Sequence, residues 1–375
     1  MGETRTAYVA AGVDVAAGDR AVELMRAAVE RTRRPEVLGG IGGFGAAITI
    51  PAGFREPVLV SSTDGVGTKT AIAVSLGRYD TIGRDLVAMC ADDVVCSGAA
   101  PLFFLDYVAV GRLDPEQVAD LVSGVAAGCV EAGCALVGGE TAEHPGLMQP
   151  GDFDLAGFCV GVVERDERLD GSAVRAGDAI VGLPSSGLHA NGFSLVRSQL
   201  AKWDLDLGRP YQEQLILTLG RTAAAEAMAA EPDHALATLG QVLLTPTTIY
   251  AGALLRVRTA LRAAGHDLHG LAHITGGGLP GNVPRALPAD LSARVDPITW
   301  RMPSIVRLIG ALGGLDDLEL RATFNGGIGM IAVVAPTAVP ATLAALVGEG
   351  IAAAVIGEVV PDDSGSRYVE GPLAR

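Results

Sequence analysis

Apolar positions at helical spacing, Val22, Met25, Ala28 and Val29, run through residues 18–34, while Arg26, Arg33 and Arg34 fall elsewhere around the turn. That pattern predicts a helix closed by Pro35. The run EPVLV at 56–60 is short, apolar and β-branched, and predicts a buried strand. A largely apolar helix is expected over 81–97, a strand over 101–111, a helix over 114–133, a strand over 134–141 and another over 153–164. This strand-helix-strand order predicts a sheet with helical crossovers, an α/β (α+β) fold. A polar stretch at 165–177 lacks periodicity, and a new strand, loop and helix begin at 178, so the expected domains are 1–170 and 171–375. Residues 203–241, with an alanine-rich helix ended by Pro232, read as an added surface insertion. The remainder alternates helix and strand, with strands expected near 267–275 and 327–336.

Composition narrows the class. Fifty glycines and 49% hydrophobic residues against 4% aromatics imply a core of Ala, Val, Leu and Ile joined by tight turns. A net charge of −15 argues against a nucleic-acid binder, which needs a basic face to neutralise phosphates. No apolar run approaches the ~18 residues of a membrane span, and the start carries no cationic segment followed by an apolar one, so no membrane association and a cytoplasmic location are expected. Five cysteines, with no C-x-x-C pair, read as small core residues.

The chemistry concentrates in acid and glycine clusters. In SSTDGVGTKT (61–70), Asp64 stands at a strand's end before Gly65, Gly67, Thr68 and Lys69. Carboxylate, bare amides and ammonium suit a metal-bound phosphate, although a strand-to-loop turn with a capping Asp explains the segment equally well. The predicted helix at 81–97 carries Asp85, Asp92 and Asp93 near one face. Carboxylates on a buried helix must protonate, find cations such as Lys69 and Arg84, or bind metal. Glu140 follows Gly138 and Gly139, so Asp64, Asp93 and Glu140 group as oxygen ligands suited to magnesium. In GGIGGFGA (39–46), Gly40, Gly42 and Gly45 satisfy G-x-G-x-x-G. A dinucleotide fingerprint needs a strand before and a helix after, whereas here a helix precedes and a strand-like run follows, which favours a loop lying over phosphates. Asn191 either caps the following helix or contacts ligand, and His189 is a surface-loop histidine by default with reach enough to act as acid or base. The turn after the strand near 267–275 offers further amides at Gly276 and Gly277.

Taken together, AGVD, TRRPEVLGGIGGFG, TDGVGTK, DLVAM, PLFFLDY, GGETAEHPG, GFCVGVVE, SSGLHANGFSLVR, HITGGG and GIGMI follow one another as in the aminoimidazole ribonucleotide synthetase family, which the chain resembles over nearly its whole length. The resemblance implies ATP-dependent closure of an imidazole ring on a small purine intermediate, formylglycinamidine ribonucleotide. It also implies ATP and Mg2+ as cofactors and a homodimer whose first domains share a β-barrel, with site residues contributed by both subunits. Carried residue by residue, it implies catalytic roles for Lys69, His189 and Asn191 and metal ligation by Asp64, Asp93 and Glu140. Cofactor binding falls to Gly42, Gly43, Gly45, Asp64, Gly65, Gly67, Thr68, Gly138, Gly139, Thr275, Gly276 and Gly277. The chain departs from the pattern at Asp92, where the family often has Asn, at Gly327, where it often has Cys, and near Gly281, where it often has Glu.

Overall fold

The computed structural model describes residues 14–40, 43–363 and 365–373. The chain divides into two compact units, one running through Arg165 apart from Val95–Gly98, the other made of Val95–Gly98 and Asp166–Arg375.

In the first unit, helix α1 (Val15–Glu30) opens on Asp14, whose carboxylate accepts a hydrogen bond from the Ala17 N–H. Two short strands, β1 (Val37–Leu38) and β2 (Ala47–Ile48), pair antiparallel and hold the glycine-rich segment between them. Among the described residues there is thus no βαβ unit at Gly40 and Gly45, and the dinucleotide reading falls. Gly42 lies outside the described residues. Next come β3 (Pro57–Gly65), α2 (Thr70–Leu76), α3 (Ile82–Cys96), β4 (Ala100–Val110), α4 (Pro115–Ala132), β5 (Ala135–Glu143) and β6 (Phe153–Glu164). Asp114 caps α4 by accepting from the Glu116 and Gln117 N–H groups, with Pro115 at the first helical position. The strands form one sheet in the order β3-β6-β4-β5. Only β4 and β5 run parallel, joined by the α4 crossover; β6 pairs antiparallel with both neighbours.

The two faces of this sheet differ. Along β6, Phe153, Leu155, Gly157 and Cys159 are buried while Asp154, Ala156 and Phe158 are exposed. Leu86 and Cys90 of α3 cover Gly157 so closely that a side chain there would strike them. On the other face Leu59, Phe158 and Tyr107 stay 57%, 41% and 40% exposed, an apolar surface without cover among the described residues.

The second unit contains β7 (Ala179–Pro184), α5 (Phe193–Lys202), α6 (Tyr211–Leu219), α7 (Arg221–Ala230), α8 (Leu239–Leu243), α9 (Ala251–Ala263), β8 (Leu268–His273), α10 (Gly278–Asn282), β9 (Leu291–Val295), α11 (Ser304–Gly313), α12 (Asp317–Thr323), β10 (Ile328–Val334), α13 (Val339–Gly348), β11 (Ala354–Pro361) and β12 (Tyr368–Glu370). Its six strands order as β12-β9-β11-β7-β10-β8 around a core that includes Ile180, Ile331, Val333 and Ile356. The segment 203–241 is not a loose surface insertion. Tyr211, Leu215, Ala224 and Leu239 have no exposure. Trp203 Nε1 donates to the Leu312 carbonyl at 2.9 Å. Glu231 accepts from the Ser304 N–H at 2.8 Å and from its hydroxyl at 2.5 Å, so it caps α11, while Tyr211 Oη lies 2.8 Å from Ser304 Oγ. The low aromatic content concealed this, because a few large side chains carry the contact.

Candidate active site

Cross-strand register arranges the first unit's acids. Asp64 on β3 pairs with Gly157 on β6, Gly157 with Asp106 on β4, and Asp106 with Gly139 on β5. Paired residues share a face, so Asp64 and Asp106 project from the helix-covered side, two strands or ~10 Å apart. Tyr107 pairs with Glu140, which places Glu140 on the opposite face at the far edge. The carboxylates expected to share one metal therefore do not meet within one chain, since β3 and β5 are the sheet's two edges, ~14 Å apart. Among the described residues no three His, Cys, Asp or Glu side chains gather as a metal-binding group.

Two separate clusters result. At the β3 edge, Asp64 accepts from the Gly65 N–H at 2.7 Å, and Ser62 Oγ donates to Asp93 Oδ2 at 3.3 Å. Gly67, Thr68 and Lys69 form a 3-10 turn leading into α2. Lys69, expected to act at the phosphates, has its ammonium 2.9 Å from Asp85, and both side chains have no exposure. Burial pulls the Lys69 pKa below its ordinary value while Asp85 opposes the change. Of the three acids on α3, Asp85 thus answers to Lys69, Asp92 is fully buried and Asp93 reaches the strand end. Arg84, the other candidate cation, pairs with Glu131 at 2.5 Å.

At the β5 edge, Gly43, Gly45, Gly138, Gly139 and Glu140 line a cavity of about 740 Å³ beneath the glycine-rich segment. Asp106 lines it too, a residue that sequence reasoning passed over. A lone acid inside the apolar run PLFFLDYVAV was the available signal. Burial pushes its pKa up to about 7.

In the second unit, three loops meet at one end of the sheet. Asn325 Nδ2 donates to the Gly187 carbonyl at 2.8 Å, its Oδ1 accepts from the Gly327 N–H at 2.9 Å, and Ser185 Oγ donates to the same Oδ1 at 3.2 Å. Asn282 Nδ2 ties down the next loop by donating to the carbonyls of Thr275, Gly276 and Gly278. Gly276 lies beside Asn191, where an added Cβ would stand 3.6 Å from Asn191 Oδ1. His189 is not a surface residue. It is 2% exposed with a left-handed φ of 61°, its Nε2 accepts from the Ser186 N–H at 3.2 Å, and its ring lies near Tyr250. The helix cap is Gly192, at φ 80°, and not Asn191. A side chain at Gly192 would strike the Phe324 ring.

Two family models match this chain: AIR synthase related protein, N-terminal domain, over residues 46–163, and AIR synthase related protein, C-terminal domain, over residues 175–370. The chain belongs to the AIR synthase related family. Within it, a phosphoribosylformylglycinamidine cyclo-ligase of Picosynechococcus sp. is 48% identical over 358 residues, covering 94% of this chain and 96% of its own. Another protein of that name, from Gloeobacter violaceus, is 49% identical over 361 residues, 96% of this chain and 99% of its own. The fold recurs in a crystal structure of the hydrogenase maturation protein HypE in complex with ATP, at a TM-score of 0.58 and 20% identity over 94% of this chain and 90% of that one. The sites of this AIR synthase related chain thus sit on a shared family scaffold, the N-terminal model covering the strands that carry Asp64, Asp106 and Glu140.

Proposed function

We propose that this chain is a phosphoribosylformylglycinamidine cyclo-ligase, which uses ATP to close formylglycinamidine ribonucleotide into aminoimidazole ribonucleotide. The observation that carries the reading is the near-half identity to cyclo-ligases over almost the full length of both chains. The γ-phosphoryl of ATP transfers to the formamide oxygen, giving ADP and an activated iminophosphate. An amidine nitrogen then bonds to the former formyl carbon, the C–O bond breaks, phosphate departs with its oxygen, and the nitrogen gives up a proton. Phosphorylation is needed because an amide oxygen is a poor leaving group, and the catalyst's task is mainly positioning and charge stabilisation.

ATP as cofactor is supported by the fold shared with an ATP complex and by the glycine-lined cavity at the β5 edge. Amides of Gly43, Gly45, Gly138 and Gly139 cradle phosphates in this reading. Magnesium fits the β3 edge, where Asp64 and Asp93 supply the one or two carboxylates that this ion combines with phosphate oxygens. Bound there, it would neutralise charge on the transferred phosphoryl group. Glu140 would join that set only from another subunit. The uncovered face around Leu59, Phe158 and Tyr107 supports a homodimer, in which the β3 edge of one protomer completes the β5 edge of its partner. Asn191, Thr275, Gly276 and Gly277 hold the purine intermediate, while Lys69 and His189 keep the loops in place from inside. The reading is tested by incubating pure protein with formylglycinamidine ribonucleotide, ATP and magnesium. ADP and aminoimidazole ribonucleotide should form in equal amounts; no ATP turnover under any metal condition overturns it.

A further inference from the structure

The segment 203–241 grips α11 at the end from which that helix starts. Glu231, just past the last residue of α7, is half-buried and uses both carboxylate oxygens. Its Oε1 accepts from the Ser304 N–H at 2.8 Å, while Oε2 accepts from the Ser304 hydroxyl at 2.5 Å and lies 3.1 Å from His234 Nδ1. Burial alone would raise the Glu231 pKa, but the bonds from His234 and Ser304 outweigh it and keep the carboxyl below its ordinary value. Tyr211 of α6 adds its Oη 2.8 Å from Ser304 Oγ. Ser304 is 2% exposed, so water cannot readily replace these partners.

The residues just before Ser304 lie on the turn that joins the second unit's loops. Trp300 Nε1 donates to the Gly326 carbonyl at 2.9 Å. Gly327 has a left-handed φ of 102°, and a Cβ there would stand 2.7 Å from Pro303 Cδ and 2.9 Å from the Arg301 carbonyl oxygen. The Gly327 N–H donates to Asn325 Oδ1, the Gly327 carbonyl accepts from the Ser185 N–H at 2.9 Å, and Asn325 Nδ2 holds the Gly187 carbonyl. A continuous series of contacts thus leads from Glu231 through Ser304, Pro303 and Gly327 to residues 185–187, where the loop between β7 and α5 begins.

We propose that Glu231 is a positioning residue for the purine intermediate: it fixes the start of α11 and, through Pro303 and Gly327, the arrangement of the loop from Ser185 to Asn191. The proposal rests on the cyclo-ligase reading, in which Asn191 holds that substrate, and gives the segment 203–241 a part in the reaction beyond packing. It also separates the two substrates. The intermediate is held by loops of the second unit and depends on Glu231, whereas ATP, assigned to the cavity in the first unit, does not.

Calorimetric titration of the full chain with formylglycinamidine ribonucleotide, and separately with ATP and magnesium, tests this. A loop that keeps its binding arrangement about a tenth of the time binds about 10-fold more weakly, so Glu231→Ala should lose affinity for the intermediate by about that factor while ATP affinity stays within about twofold of wild type. Glu231→Gln, which keeps an acceptor for Ser304, should fall between the two. Leu215→Ala opens a cavity in α6 at a residue that takes no part in the hydrogen bonds to Ser304; it should melt below wild type yet bind the intermediate as wild type does. Unchanged affinity in Glu231→Ala overturns the proposal, as does a parallel loss of ATP binding, or an equal loss in Leu215→Ala, which would mean that the segment acts through stability alone. If Glu231→Ala does not fold, Glu231→Gln decides by the same comparison. Wild type that binds ATP but not the intermediate removes the cyclo-ligase reading, and the proposal with it.

Discussion

Replacing Lys69 by Met should damage folding before it damages chemistry. The ammonium and the Asp85 carboxylate lie 2.9 Å apart with neither side chain exposed, so removing one charge strands the other in the interior. Breaking such a pair costs about 3–5 kcal/mol, whereas replacing both members by neutral groups of similar size is often close to neutral. For a unit of this size, 1 kcal/mol moves the melting temperature by ~2–4 °C, so Lys69→Met should melt ~6–20 °C below wild type. The double variant Lys69→Met/Asp85→Leu should recover most of that loss. Differential scanning calorimetry of the full chain, paired with ATP turnover measured well below the variant's transition, separates structure from catalysis. If Lys69→Met melts like wild type yet turns over ATP 100-fold more slowly, the ammonium reaches the phosphates and the structural assignment is wrong.

At the β3 edge, Asp93→Asn should shift magnesium dependence to higher concentration and lower turnover by roughly 100-fold, the scale of one strong electrostatic contact; Asp92→Asn, in a fully buried position, should be tolerated, and equal, metal-independent effects would remove the magnesium assignment. Replacing 203–241 by a short linker should abolish stable folding of the second unit, since Tyr211, Leu215 and Leu239 each bury ~1.5–3 kcal/mol of apolar surface; an unchanged melting curve contradicts this. The Asp106 pKa is raised from 3.8 to about 7 on folding, so the folded state holds the proton more tightly and stability falls as pH rises from ~4 to ~7. Asp106→Asn should therefore gain stability at pH 8 over wild type, by ~1–2 kcal/mol after allowance for partial exposure, and none at pH 4, as urea melts at the two pH values would show. In the proposed homodimer, Phe158→Glu on the sheet face that the described residues leave uncovered should shift sedimentation from dimer toward monomer, and a wild-type monomer would refute that pairing.

The first unit was legible in the chain because each element carries one clear period. The strand expected over 153–164 is β6 to the residue, and the helix expected over 114–133 differs from α4 by one residue at each end. The site was legible only in its parts. Asp64, Asp93 and Glu140 could be chosen by residue type and neighbouring glycines, but sheet order is non-local, and only the β3-β6-β4-β5 arrangement shows that Glu140 lies at the opposite edge. The burial of Lys69 and His189 was hidden for a related reason: a loop sequence does not reveal which side chain turns inward. Asp106 was visible as a charge in an apolar strand, yet its partner is a glycine on a neighbouring strand, which no local pattern identifies. Asn325 was likewise unmarked, because its three hydrogen bonds join loops far apart in sequence.

The most direct measurement is a single-turnover reaction of the pure chain with formylglycinamidine ribonucleotide labelled with oxygen-18 in its formyl group, together with ATP and magnesium. The proposed chemistry predicts one ADP and one aminoimidazole ribonucleotide per turnover, with the label recovered in inorganic phosphate. Imidazole formation that leaves the label in water, or ATP binding without ADP release, would contradict it.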